Sequence, residues 1–267
     1  MRNMKMDDKS LNGVLVIDKP ENMTSFNVDS IIKKRLNCSK VGHAGTLDPF
    51  ATGVLPVLLN NATKLQDRLV GMPKSYEGTF KLGISTDTLD ITGSQNGYRK
   101  VSDSESESVA SYLKNISGDF IQKIPAFSAR KYKGIPLYKY ARKNIGVVTE
   151  NPTSVVKIYN FEIKSVGNPF IDFKCTVSKG TYIRAIAQEI MDKFDIPAQL
   201  YSLRRTSAGG FDVSNALPQD FVEKNADFLI KNIIPVGKLN ITGAEFNSVP
   251  VTNLNGAELN FDPSQIG

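Results

Sequence analysis

The stretch His43-Ala44-Gly45-Thr46-Leu47-Asp48-Pro49-Phe50-Ala51-Thr52-Gly53-Val54-Leu55 sets a single carboxylate among glycines, small residues and apolar side chains. It belongs to a glycine-rich loop over residues 41–53 that leads into an apolar strand over 54–59. An anion in such surroundings is costly unless a cation compensates it. The same residues also read as a turn opened by Asp-Pro with glycines as loop punctuation. Spacing alone leaves both readings open.

Outward on the N-terminal side, residues 13–18 read as a buried strand and Lys19-Pro20-Glu21-Asn22 as a turn. A helix follows, with Ser25 as its cap and Val28, Ile31, Ile32 and Leu36 as its apolar stripe. Lys33, Lys34 and Arg35 suit the negative end of its dipole. On the C-terminal side, residues 62–70 look helical and 75–84 look like a strand with a loop after it. Ser104-Glu105-Ser106-Glu107 reads as a capping box ahead of Val109, Tyr112, Leu113 and Ile116. Tyr159, Phe161 and Ile163 alternate with polar residues, as do Ile171, Phe173, Cys175 and Val177, which gives two half-buried strands. Residues 181–194 carry Ile183, Ile186, Ala187, Ile190 and Phe194 at helical spacing. No repeat of solenoid period is visible. Strands and helices mix without a βαβ beat, so a mixed α+β fold is expected over a doubly wound one.

Two further segments stand out. In Gly180-Thr181-Tyr182-Ile183-Arg184 an arginine falls in the first turn of a helix, where a cation is electrostatically disfavoured. Its counter-charge could be Asp48 or a bound phosphate, or the guanidinium could face solvent. FSARKYKGIPLYKYARKN, residues 127–144, interleaves six cations with Tyr132, Tyr138 and Tyr140. Phosphates want charge and unstacked bases want flat faces, so the pattern suits RNA. It would also suit a solvated helix face with core tyrosines. The net charge of +6 favours the polyanion.

Much chemistry is excluded. The 267 residues are 40% hydrophobic and 22% charged, an ordinary globular composition. The longest apolar runs, 13–17 and 54–59, fall far short of the roughly 20 residues that span a bilayer. MRNMKMDDKSLNG lacks the apolar core and cleavage site of a signal peptide, so no membrane association and a cytoplasmic location are expected. Cys38 and Cys175 have no metal-binding spacing, and one histidine, His43, builds neither a multi-histidine zinc site nor HExxH. No GxGxxG or GxxxxGK[ST] is present. A Ser-His-Asp triad on His43 is formally possible but lacks a G-x-S-x-G elbow. Carboxylate, Arg, Tyr and Lys chemistry remains, with no metal and no cofactor expected.

GHAGTLDPFATGVL, residues 42–55, closely resembles the catalytic-aspartate loop of the tRNA pseudouridine-55 synthases, the TruB-type enzymes. Four other segments agree in order: GVLVIDKPENMTS (13–25), KSYEGTFKLGISTDTLDITG (74–93), GTYIRAIAQEI (180–190) and LRRTSAGGF (203–211). Together they cover about residues 11–235. The resemblance implies a pseudouridine synthase fold: a mixed, largely antiparallel sheet with flanking helices around a central RNA-binding cleft. It implies a catalytic domain over 11–238 and a short tail or partial appendage over 239–267. It makes Asp48 the essential carboxylate, Arg184 its salt-bridge partner and Tyr76 the ring that stacks on a flipped uracil. Tyr182 and Leu203 become pocket walls, His43 the residue that fills the space left by the flipped base, and Lys19, with Pro20, a support for the floor.

Arg130 and Lys131 stand close to the lysine expected in the Ser-Ala-x-Lys segment, although Pro125 is followed by Ala126 where relatives usually show Pro-Pro. The implied activity is a cofactor-free isomerase acting on the T-arm stem-loop of tRNA, with no obligatory protein partner. Many such proteins carry a C-terminal RNA-binding domain, which the residues after Lys238 are too few to supply. Two other readings stand beside it: a non-catalytic tRNA-binding or RNA-folding protein, and a pseudouridine synthase acting on another RNA.

Overall fold

A computed structural model describes residues 11–142 and 152–239, together with the backbone of Val251–Thr252 and Glu258–Leu259, which pair as two short antiparallel strands. The chain forms two compact units, Met1–Ser75 with Arg204–Gly267, and Tyr76–Leu203.

In the first unit, β1 (Gly13–Lys19) is apolar on both faces because each face meets its own cluster. Leu15 and Ile17 pack with Val28, Ile32, Leu36 and Cys38, while Val14 and Val16 pack with Val54, Leu58, Ala62 and Leu69. Helix α1 (Ser25–Leu36) supplies the first of these stripes. Its cap is Thr24 rather than the expected Ser25: Thr24 has extended backbone and its hydroxyl accepts from Asn27 N–H. The hydroxyl of Ser25 is engaged elsewhere, with Leu47. Strand β2 (Val41–His43) pairs antiparallel with β3 (Thr52–Leu59), whose other edge pairs antiparallel with β1 from Gly13↔Leu59 to Lys19↔Gly53. Residues 60–65 form a 3₁₀ turn and α2 (Gln66–Gly71) continues it, so the helical expectation over 62–70 holds with a tighter first half.

The chain leaves the first unit within β4 (Lys74–Leu82). In the second unit β5 (Ile84–Thr86) and β6 (Gln95–Tyr98) make a small hairpin. Helix α3 (Asp103–Lys114) is capped by a box two residues earlier than expected: Ser102 and Glu105 exchange side-chain and backbone hydrogen bonds. Strand β7 (Gly118–Lys123) precedes a two-residue hairpin of β8 (Lys131–Tyr132) and β9 (Ile135–Pro136), then α4 (Leu137–Arg142). Strands β10 (Thr153–Gly167) and β11 (Phe170–Val177) pair antiparallel, with Phe161 opposite Cys175. Helix α5 (Arg184–Phe194) leads to β12 (Ala198–Ala208), within which the chain returns to the first unit. The order β12-β4-β11-β10-β7 builds the sheet of this unit. Its interior holds a stack in which the Phe173 ring lies 4.7 Å from Phe80 and 5.1 Å from Phe161.

Back in the first unit, the end of β12 runs parallel to β3 at Arg204↔Thr52 and Arg205↔Gly53. Then come β13 (Phe211–Asp212), α6 (Ala226–Lys231) and β14 (Ile234–Pro235), the last pairing with β1. The sheet is mostly antiparallel, with this parallel contact and isolated parallel bridges, in line with the mixed α+β expectation. No helix of the described residues is long and apolar enough to cross a membrane.

Candidate active site

Asp48 sits partly exposed in the middle of the β2–β3 connection. The Asp-Pro pair does open a turn, since Ala51 N–H donates to Asp48 O at 3.1 Å. The loop around that turn is anchored from beneath by two fully buried cations. Lys19 Nζ donates to the carbonyls of Pro20 and Met23 at 2.7 Å and of Pro49 at 3.2 Å. Arg205 donates from Nε to Val54 O (2.8 Å), from Nη2 to Gly45 O (2.9 Å) and from Nη1 to Thr46 O (3.4 Å). Ser25 completes the grip, its hydroxyl accepting from Leu47 N–H at 2.9 Å and lying 3.2 Å from Leu47 O. Residues 45, 46, 47, 49 and 54 are thus each tied to a buried or capped side chain, and the carboxylate between them is held at a defined place.

Close approach explains one glycine. At Gly53 (φ +103°) an added Cβ would lie 2.1 Å from Arg205 O, so only hydrogen fits where β12 runs beside β3. Burial pushes the Lys19 amine down to about 8, Asp48 pulls it back up by opposite charge, and Arg205 lowers it further. Lys19, expected as a floor support, therefore also senses the charge of Asp48.

His43 lies at the loop's entrance, with Nδ1 2.7 Å from Asp29 Oδ2 and Nε2 3.1 Å from Thr46 Oγ1. Gln66 donates to the His43 carbonyl at 3.1 Å. The sequence-expected residues Lys19, His43 and Asp48 thus belong to one cluster of the first unit. Arg205, Ser25 and Asp29 join them, none of which the sequence marked as a site residue. Arg205 was legible in principle: Leu203, Arg205 and Ala208 are buried while Arg204 is only partly so, and β-alternation puts Leu203 and Arg205 on one face. Arg204 instead forms an ion pair with Asp18 at 2.7 Å.

The second unit holds the remaining expected residues. Arg184 opens α5 with no side-chain cap before it, and is buried. Within this unit the carboxylate of Asp90 lies beside it, with Oδ2 3.5 Å from Arg184 Nε. Arg184 also donates to Thr88 O (2.9 Å) and Phe127 O (3.0 Å). Asp90 is buried in turn and accepts from Thr88 Oγ1, Thr92 N–H and Thr92 Oγ1 at 2.6–2.9 Å. One acid therefore shapes residues 88–92 and fixes a guanidinium. Tyr182 is placed by buried Gln122, which accepts from Tyr182 N–H at 2.9 Å and donates to Gly180 O at 2.7 Å. Tyr76 and Leu203, both largely buried, are the first and last residues of the unit, on the neighbouring strands β4 and β12.

Arg130 and Lys131 are exposed beside the β8–β9 hairpin, whose turn residues Lys133 and Gly134 have positive φ. Lys133 Nζ lies 5.6 Å from the Tyr132 ring centre. The cations of the basic segment are divided: Lys131 and Lys133 are on this hairpin with Arg130 just before it, and Lys139 and Arg142 are on α4, while Lys143 and Asn144 lie outside the described residues. Among the described residues no group of three or more His, Cys, Asp or Glu could hold a metal ion.

The α+β, mostly antiparallel architecture is shared with solved chains. One, from a Cbf5-Nop10-Gar1 complex, aligns with a TM-score of 0.63 at 26% identity, covering 86% of this chain and 63% of that one. Another, from an H/ACA RNP bound to a substrate RNA containing 2'-deoxyuridine, aligns at 0.58 and 27% identity, covering 80% and 53%. The chain thus spans between about half and two thirds of those chains. Residues 33–183 match the TruB family pseudouridylate synthase N-terminal domain. A tRNA pseudouridine synthase B of Clostridium tetani is 41% identical over 82% of this chain and 76% of its own length. Those of Caldicellulosiruptor saccharolyticus and Lactobacillus acidophilus are 39% and 38% identical over 84% and 85% of this chain, 77% and 78% of theirs. The chain belongs to the TruB family of pseudouridylate synthases.

Proposed function

We propose that this protein isomerises the T-loop uridine of tRNA, position 55, to pseudouridine, with Asp48 as the catalytic carboxylate. The reading rests above all on the loop of residues 45–54, where two buried cations and a serine hydroxyl fix the backbone on both sides of one partly exposed acid. Preorganised placement of a reacting group is what a demanding rearrangement needs. The reaction breaks the N1–C1′ glycosidic bond, turns the uracil, joins C5 to C1′, releases the C5 proton and places a proton on the freed N1, so substrate and product are isomers. Nothing is oxidised or donated, so carboxylate chemistry suffices. Asp48 would act either by covalent addition to the base or sugar or by removing a ribose proton after elimination. All these routes use the ionised form.

In this reading Arg184 serves as the counter-charge that keeps the acid ionised, Tyr76 stacks on the extruded uracil, and Tyr182 and Leu203 bound the base. His43 occupies the vacated stack, and Arg130 and Lys131 contact phosphates. Extrusion costs about a few kcal/mol, which stacking and phosphate contacts offset. The names of the relatives support tRNA as the substrate. The test is to incubate purified protein with a T-arm stem-loop and with ribosomal RNA fragments, and to map pseudouridine by carbodiimide-dependent primer-extension stops. The T-loop uridine should convert, and Asp48→Asn should lower the rate by at least about a thousandfold with RNA binding kept. Unimpaired turnover by that variant, deamidation excluded, would remove Asp48 from its role.

A further inference from the structure

Ser25 and Asp29 lie four residues apart on α1 and so share one face of the helix. Ser25 holds Leu47 and Asp29 holds His43, so a single helix face grips the segment leading into Asp48 at both ends. The second grip is chemically specific. Asp29 is buried, and its Oδ1 has no hydrogen-bond partner among the described residues, so its one close contact is the imidazole. An ionised carboxylate only accepts hydrogen bonds, which requires the proton on Nδ1. A neutral ring then presents a bare Nε2, and the Thr46 hydroxyl, 3.1 Å away, can satisfy it by donating. For a neutral ring, protonation on Nδ1 accounts for both contacts. It is the tautomer that a free imidazole in water disfavours.

Resting on the pseudouridine synthase reading above, we infer that Asp29 is a positioning residue that acts through His43. It selects the Nδ1–H tautomer and fixes the ring's angle, so that the imidazole stands ready for the space an extruded base leaves. The carboxylate touches neither RNA nor the reacting atoms, and its whole effect on turnover passes through the histidine.

His43 is the only histidine in the chain, so its ring nitrogens give a single, unambiguous ¹⁵N signature. In the RNA-free protein the neutral ring should carry its proton on Nδ1, and Asp29→Leu should shift it to Nε2. On a T-arm stem-loop, Asp29→Leu should lower kcat by roughly tenfold with little change in KM, the scale of one lost charge-assisted hydrogen bond. Asp29→Asn, which keeps an acceptor for Nδ1–H, should restore most of that loss. In a His43→Ala background Asp29→Leu should cost less than about twofold more. Additive losses in that cycle, a wild-type ring protonated on Nε2, or an Asp29→Asn variant as impaired as Asp29→Leu would each overturn the assignment. A wild-type protein that isomerises no RNA would defeat the enzymatic reading, while the ring spectrum, which needs no RNA, would still judge Asp29.

Discussion

Arg205 and Arg184 are both buried, and each shapes a loop, but by different means. Arg205 spreads its guanidinium over backbone carbonyls of residues 45, 46 and 54. Arg184 meets a buried carboxylate, Asp90, as well as two carbonyls. The first arrangement can be loosened and partly resolvated, because Gly45 and Thr46 are accessible to water. The second cannot, because removing the cation strands a charge in the interior. The Asp48 loop is thus fixed by donors that water can partly replace once they are removed, and residues 88–92 by a charge whose loss water cannot make good.

Substitution separates the two most sharply. Arg184→Met should lose about 3–5 kcal/mol in urea unfolding, and adding Asp90→Asn should recover part of it. An unchanged midpoint would show that the pair is not mutually compensating. Arg205→Met should lose about 2 kcal/mol, because water can replace some of its donors. Its isomerisation rate should fall more than its stability suggests, since Asp48 loses its setting. A rate untouched at reduced stability would mean that the loop keeps its shape without the guanidinium.

A third contrast lies in pH. The Lys19 amine, pushed down to about 8 in the fold, binds its proton less tightly than in the unfolded chain, whose value is 10.5. Between about pH 8 and 10.5 the unfolded state holds more protons, so the contribution of Lys19 to stability rises with pH there. Below about 8 the cost of its buried charge is fully present. Wild type should therefore gain on Lys19→Met between about pH 7 and pH 10, whereas a constant difference would indicate an ordinary lysine. The smallest effect belongs to the second unit's α3. The backbone N–H of Ser102, then Arg99 and the Ser102 hydroxyl, hold Glu105 down at about 2. Its contribution should be complete above about pH 4.5 and vanish as pH falls toward 2, so that wild type and Glu105→Gln converge in acid.

What the sequence made legible follows its range. Elements with strong local periodicity, such as β1, α1 and α5, emerge where the spacing puts them, because 3.6- and 2-residue patterns are local. Caps fail by one or two positions: Thr24 and Ser25 can both cap, and only backbone angles decide. The placement of Arg184 asks for an anion, and Asp90, 94 residues away in a threonine-rich turn, carries no signal that spacing could detect. Lys19 and His43 came from resemblance, while their partners Pro49 and Asp29 needed three dimensions. The buried Arg205 hides beside Arg204 in a pair that only strand alternation resolves.

Cys38 is enclosed in the first unit's apolar cluster and Cys175 faces Phe161 within the second, its thiol raised by burial. Neither should react quickly with maleimides, which attack exposed thiolates. A cysteine placed at exposed Lys133 would then accept a fluorophore in an otherwise unmodified background, turning the hairpin into a reporter of RNA arrival without prior removal of native thiols.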